Sequence, residues 1–288
     1  MDNIVKGINE IANSEVAKEV YTDGLKPAVK NVGGVLGTFT GFFNNVVLYP
    51  MKKLNFIFEQ KALQFQRELE EKYNRIPDEK KCEPDVSVLG PALEVLKYNL
   101  DNDEIRIMFE NLIANNMNID MKKLTHPRFV DIIKLMSHND AVIFKNITER
   151  ETNGVIRPVI KFGDDRKAKV DLPMYYSNAG DQIDTFSISA SLTNLMNLGL
   201  VEIDFLRYYT QPDFYEKMVE SNCELQNILS SFKSEVDSLK NYPEEYLKQI
   251  QLFPFPDVNQ IHYDIKHNIG IILVTDFGKM FSDVCLKS

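Results

Sequence analysis

Residues 31–51 carry no charge, and within them Gly33, Gly37 and Gly41 stand four apart. At about 3.6 residues per turn, Val32, Val35, Leu36, Phe39, Phe42, Phe43, Val46 and Val47 share one helix face. Gly33, Gly37, Thr40, Gly41 and Asn44 share the other. One face is apolar and the other is small. Four-spaced glycines let a second backbone approach closely, yet each costs about 1 kcal/mol against alanine in a helix. The spacing therefore predicts a helix that needs partners on both faces. Three settings are open to it: a buried helix, which the rest of the chain favours, a peripheral or conditionally inserting membrane helix, and a membrane span. A span needs about 20 predominantly apolar residues, and Asn31, Thr38, Thr40, Asn44 and Asn45 interrupt this stretch.

The flanking sequence supports the buried setting. Tyr49-Pro50 ends the helix, and a second one is expected over 51–73. Its apolar stripe is Leu54, Ile57, Phe58, Ala62, Phe65, Leu69 and Tyr73, and its charged face holds Glu68, Glu70, Glu71 and Lys72. The two form an αα-hairpin around Pro50. A further amphipathic helix is expected over 2–22, before a break at Asp23-Gly24. Residues 74–88, with Pro77, Pro84 and many charges, read as a linker. Helices follow over 89–100, starting near Gly90-Pro91, then 103–116, 126–136 and 139–148. In 103–116, Ile105, Met108, Phe109, Leu112 and Ile113 are spaced for burial, and Asp101 or Asn102 is the cap.

From Val155 the period changes. Residues 155–162 and 169–172 alternate as strands do, 186–198 read as a helix ended by Gly199, 200–206 and 269–275 as strands, and 276–286 as a final helix. Helix, strand, return strand, helix is the order of a winged-helix unit, with an insertion over 210–267 between the wing strands. The insertion holds an expected helix with Phe214, Leu225, Ile228, Leu229, Phe232 and Val236, then an extended Phe253-Pro254-Phe255-Pro256. The fold class is mainly α with a smaller α+β part. Its expected domains are 1–75 with the glycine hairpin, 76–136 as a central helical block, and 137–288 as a winged-helix-like domain.

Charge and motifs narrow the function classes. The net charge is −9, and from Ser137 onward 15 Lys and Arg face 22 Asp and Glu. The helix that would enter a DNA groove offers Ser187, Ser189, Ser191, Thr193, Asn194 and Asn197 but no Lys or Arg. Phosphate neutralisation dominates non-specific DNA affinity, so nucleic acid is disfavoured as a partner. Cys82, Cys223 and Cys285 are odd in number and far apart, and no basic segment precedes an apolar run near Met1. A reduced, cytoplasmic protein is expected. His126, His138, His262 and His267 lack Cys or carboxylate neighbours at ligand spacing, so no metal is assigned. Asp101, Asp103 and Glu104 form an acidic knot that helix capping explains. Pro77-Asp78-Glu79-Lys80 imitates nuclease letters, but the acids of a nuclease converge from separate strands. No P-loop, dinucleotide fingerprint, nucleophile elbow or H-E-x-x-H is present, so no catalytic residue and no cofactor is assigned.

A set of short segments does identify a family. Residues 24–30 (Gly-Leu-Lys-Pro-Ala-Val-Lys), the glycine helix, Ile76-Pro77, Leu89-Gly90-Pro91-Ala92-Leu93-Glu94, Leu96-Lys97-Tyr98, Met108-Phe109-Glu110-Asn111-Leu112 and His126-Pro127-Arg128-Phe129-Val130 resemble the abortive infection alpha family, over roughly residues 15–280. The resemblance implies a role in bacterial defence against phage, in which the infected cell stops growing or dies. It supplies no catalytic residues. The shared positions it suggests are Gly90, Pro91, Glu94, Tyr98, Phe109, Asn111, His126, Pro127 and Phe129. Gly33, Gly37, Gly41, Phe39, Phe42 and Phe43 are the candidate interaction or membrane helix. The expected partner is a phage or host protein; self-association and a conditional contact with the inner membrane are further expectations for the glycine helix. The alternative is a sensor whose winged helix and inserted arm recognise such a protein.

Overall fold

The computed structural model of the chain describes residues 32–49, 56–162, 168–180, 182–211, 213–239 and 263–287. These are mostly helical, with a small antiparallel four-stranded sheet. The chain divides into two compact units, residues 1–138 with 280–288, and residues 139–279. The expected helix over 2–22, segment 24–30 and the turn at Pro50 lie outside the described residues.

In the first unit the glycine helix, α1 (Val32–Phe43), runs into a π-helical turn at Asn44–Leu48. The apolar face holds as expected through Phe39, Phe43 and Val47, all buried. The wider π turn rotates the end of the helix, so Leu48 is buried beside Val47 while Val46 is half-buried. Helix α2 (Phe56–Asn74) buries Ala62, Phe65, Leu69 and Tyr73 of its expected stripe. Phe43 stacks on Phe65 with ring centroids 5.5 Å apart, so α1 and α2 pack as the hairpin requires.

The segment read as a linker is tied down. The Cys82 N–H donates to the Met117 carbonyl at 2.9 Å, and Lys81 forms a β-bridge with Asn118. Helix α3 (Val86–Leu96) starts earlier than expected, because Asp85 caps it by accepting from the Ser87 N–H at 2.9 Å. Gly90-Pro91 is therefore interior to α3 and does not begin it. Helix α4 (Asp103–Asn116) has the expected bounds and is capped by Asn102. Its apolar positions are buried, and so are Arg106, Glu110, Asn111 and Asn116. A short α5 (Ile119–Lys122) and α6 (Arg128–Leu135) follow.

The second unit begins with α7 (His138–Glu149), apart from His138 itself. Next come β1 (Gly154–Phe162), β2 (Ala168–Asp171), α8 (Thr185–Asn197) and β3 (Val201–Asp204). Two helices, α9 (Phe214–Ser221) and α10 (Cys223–Leu239), precede β4 (Tyr263–Val274). Helix α11 (Asp276–Cys285) contains the second boundary between the units. The strand order is β2-β1-β4-β3. Strand β4 is longer than the alternation at 269–275 predicts, because its polar first half pairs with β1 while its end pairs with β3. Gly270 permits that pairing: a Cβ there would lie 2.6 Å from the Asp204 carbonyl oxygen. The single helix expected in the insertion breaks at Asn222, whose side chain accepts from the Leu225 N–H at 3.0 Å and starts α10 afresh. His262 and residues 253–256 lie outside the described residues.

Candidate functional site

The most chemically distinctive place in the first unit is the contact of α2 with α4. Glu68 and Lys72, four apart, flank the apolar stripe of α2 and face Arg106 and Glu110, four apart on α4. The Arg106 guanidinium pairs with Glu68, with Glu110 at 3.2 Å and with Asp103 at 3.2 Å. Lys72 lies 3.5 Å from Glu110 and donates to the Asn111 side-chain oxygen. The Asn111 amide in turn donates to the Cys285 carbonyl at 2.9 Å, and Asn115 donates to that of Val284 at 2.8 Å. One polar network thus ties the second arm of the hairpin, the central helix and the end of α11.

The centre of the network is sealed. Arg106 is 4% exposed and Glu110 1%. Arg106 Nε is buried with no hydrogen-bond partner, so the guanidinium is not fully satisfied. Burial pushes the Glu110 carboxyl up, and its hydrogen bond with Glu68 and the charge there push it further, against Lys72 and Arg106, to about 8. The shift favours the protonated form of Glu110 at neutral pH. Burial also acts against the Glu68 charge, but the hydrogen bonds from Glu110 and Gln64 and the Arg106 charge outweigh it and hold that carboxyl below its ordinary value. Two carboxylates, one on each helix, thus meet a single arginine, which locks α2 to α4.

The sequence reading missed this network. Of the charged face of α2, Glu68 and Lys72 sit partly buried at its border, whereas Glu70 and Glu71 are exposed. The available signal was the pair of charged i, i+4 couples on adjacent helices.

The other expected site residues scatter. Phe109 and Asn111 are buried in α4. Phe129 is buried on α6 and meets Phe281 edge-on at 5.2 Å. His126 accepts from the Arg128 N–H at 3.0 Å just ahead of α6, beside an exposed Pro127. Glu94 pairs with Lys97, which also lies 5.0 Å over the exposed Tyr98 ring. Gly90 is half-buried and Pro91 exposed. The acidic knot is split among partners: Asp101 with Lys61 at 3.4 Å, Asp103 with Arg106, and Glu104 with His138 at 2.8 Å. Among the described residues no group of three or more His, Cys, Asp or Glu is placed to hold a metal ion.

On α1, Phe39 and Phe43 are buried and Phe42 is half-buried. Gly37 and Gly41 are exposed, and a Cβ at either would meet nothing within 4 Å. The glycine face, expected to lie against a neighbour, is open among the described residues. No described helix is long and apolar enough to cross a membrane. In the second unit the polar groups of α8 are largely spent on the protein itself. Ser189 accepts from the Met174 N–H at 3.0 Å, Asn194 donates to Asp140 at 2.9 Å, and Ser191 is buried.

No curated protein and no solved structure matches the chain. A family model described as abortive infection alpha matches residues 57–285, from the start of α2 to the end of α11. The match leaves out α1 and includes the whole charge network. The chain belongs to the abortive infection alpha family.

Proposed function

We propose that the protein is a non-enzymatic abortive infection effector that acts in the cytoplasm through protein contacts of its N-terminal hairpin. The observation that carries this reading is the asymmetry of α1. One face is anchored by Phe39, Phe43 and Val47, and the other presents Gly37 and Gly41 with open space before them. Infection shifts the hairpin from its anchored state to one in which the glycine face meets a partner. That partner is a phage or host protein or a second copy of the chain. A conditional, peripheral contact of α1 with the inner membrane surface is the weaker form, since no described helix is long and apolar enough to cross a membrane. Phage challenge of cells carrying Gly37→Leu and Gly41→Leu tests the reading.

A second reading makes the 139–279 unit the sensor. Its supporting observation is the sequence of α8, a left-handed Gly199 (φ 77°), β3, β4 and α11, the order of a winged helix, with α9 and α10 inserted between the two strands. The acidic balance of this region and the internal use of the α8 hydroxyls favour a protein over DNA. Deleting residues 212–251 should cost defence; full defence after the deletion counts against this reading.

A further inference from the structure

The second unit contains a cavity of about 600 Å³ between the insertion and the sheet, within the size range of ligand pockets. Ile156 and Ile269, cross-strand partners on β1 and β4, line it together with Phe214 and Tyr215 of α9. The aromatic lining is itself held in place. Phe214 meets Tyr209 and Tyr215 edge-on at 5.3 and 4.9 Å, and the Tyr215 hydroxyl donates to the Gly270 carbonyl at 2.9 Å. A Cβ on Gly154 would overlap the Phe214 ring, so the ring seats directly on the backbone of β1.

Three carboxylates also line the cavity: Asp213, Glu216 and Glu220. Glu216 and Glu220 are four apart and exposed on α9. Asp213 precedes the helix in a left-handed conformation (φ 60°), and its side chain makes no capping bond. None of the three has a hydrogen-bonded or ionic side-chain partner among the described residues. His267, the remaining titratable group of the lining besides the tyrosines, is shifted by desolvation toward its neutral form and does not offset them. On the adjoining loop, Leu206 is 91% exposed and Tyr208 56% exposed. Aromatic faces with unpaired carboxylates attract a cation with an apolar stem, and the exposed Leu206 extends an apolar contact beyond the cavity.

We propose that this cavity binds an arginine or lysine side chain presented by an apolar-flanked peptide segment of a partner protein. The charge complementarity excludes an acidic or nucleic-acid occupant, and the flanking Leu206 and Tyr208 favour a peptide over a lone cation. The proposal deepens the sensor reading and rests on it.

The test uses the full chain and an array of capped nonapeptides with a central arginine and varied apolar flanks. Each is matched to the same peptide carrying citrulline, the neutral isostere. Arginine peptides are expected to bind at least ten-fold more tightly than their citrulline partners. The Glu216→Gln/Glu220→Gln double variant, altered only at exposed positions, should lose that preference with its thermal melt unchanged. Equal binding of the two series, binding of neither, or a preference that survives in the variant overturns the proposal. So does competition by acetyl-arginine amide as strong as by the peptides, which would make the ligand a small cation. If the array fails while deletion of residues 212–251 still costs defence, the site is wrong and the sensor reading stands. If the deletion costs nothing, the sensor reading is wrong, whatever the array shows.

Discussion

The Phe43 ring lies on the Phe65 ring at 5.5 Å and within 14° of parallel, both fully buried. This stack joins α1 to α2. Removing a buried phenylalanine ring costs about 3–5 kcal/mol through lost burial and the cavity left behind. Phe43→Ala should therefore lower the thermal stability of the first unit and expose α1 to limited proteolysis ahead of α4. If anchoring restrains the effector, cells expressing this variant should grow slowly without phage.

Glu110 sets a pH dependence. Its folded-state value, about 8, lies above the ordinary 4.5, so the folded protein binds the extra proton between those limits. Its contribution to stability is present at low pH and is lost as pH rises through about 8. Glu68, held below its ordinary value, works in the opposite sense, but only at more acidic pH. Chemical denaturation from pH 5 to pH 8.5 should show the first unit weakening by roughly 4 kcal/mol. Glu110→Gln keeps a neutral hydrogen-bonding group and should flatten that slope.

Arg106→Met removes the cation that faces both carboxylates. Breaking a buried pair from one side costs about 3–5 kcal/mol, and Glu110 can relieve part of that by staying protonated. A loss near 3 kcal/mol is expected by urea denaturation. Arg106→Lys should recover little, because a single ammonium cannot reach Glu68, Glu110 and Asp103 with the geometry of a planar guanidinium.

Gly90 separates shared fold from shared function. A Cβ there meets nothing within 4 Å, and the residue is interior to α3. Gly90→Ala should change stability by less than about 1 kcal/mol, because the gain in helix propensity is opposed by crowding of the new Cβ against the ring of Pro91. A variant that keeps its melting temperature and yet fails to protect cells would mark Gly90 as a functional surface position. By contrast Gly278→Ala should unfold the second unit, because its Cβ would overlap the Leu200 carbonyl.

What the sequence made legible follows from what each residue type signals. The bounds of α4 were readable because Asn102 and the run of apolar positions from Ile105 to Ile113 point to one helix. Strands β1 and β2 showed in their alternation. The early start of α3 was hidden because Gly90-Pro91 imitates a first turn, while the true cap, Asp85, follows another proline. The first half of β4 alternates Tyr263 and Ile265 with Asp264 and Lys266, but the polar pair His267-Asn268 separates that short signal from the apolar run that starts at Ile269. The charge network was hidden for a more general reason. An i, i+4 pair of opposite charges reads as a solvated face, and only the partner helix reveals that Arg106 and Glu110 are covered. The open glycine face was likewise not readable, since spacing shows what a helix can accept and not what lies against it.

The most direct test of the central claim is a plaque assay on cells expressing the Gly37→Leu/Gly41→Leu variant, with its melting temperature measured alongside. Both glycines face open space, so the variant should fold at least as stably as the parent. The account predicts that protection falls to the level of cells lacking the protein while stability is kept. Full protection by a stably folded variant would contradict it.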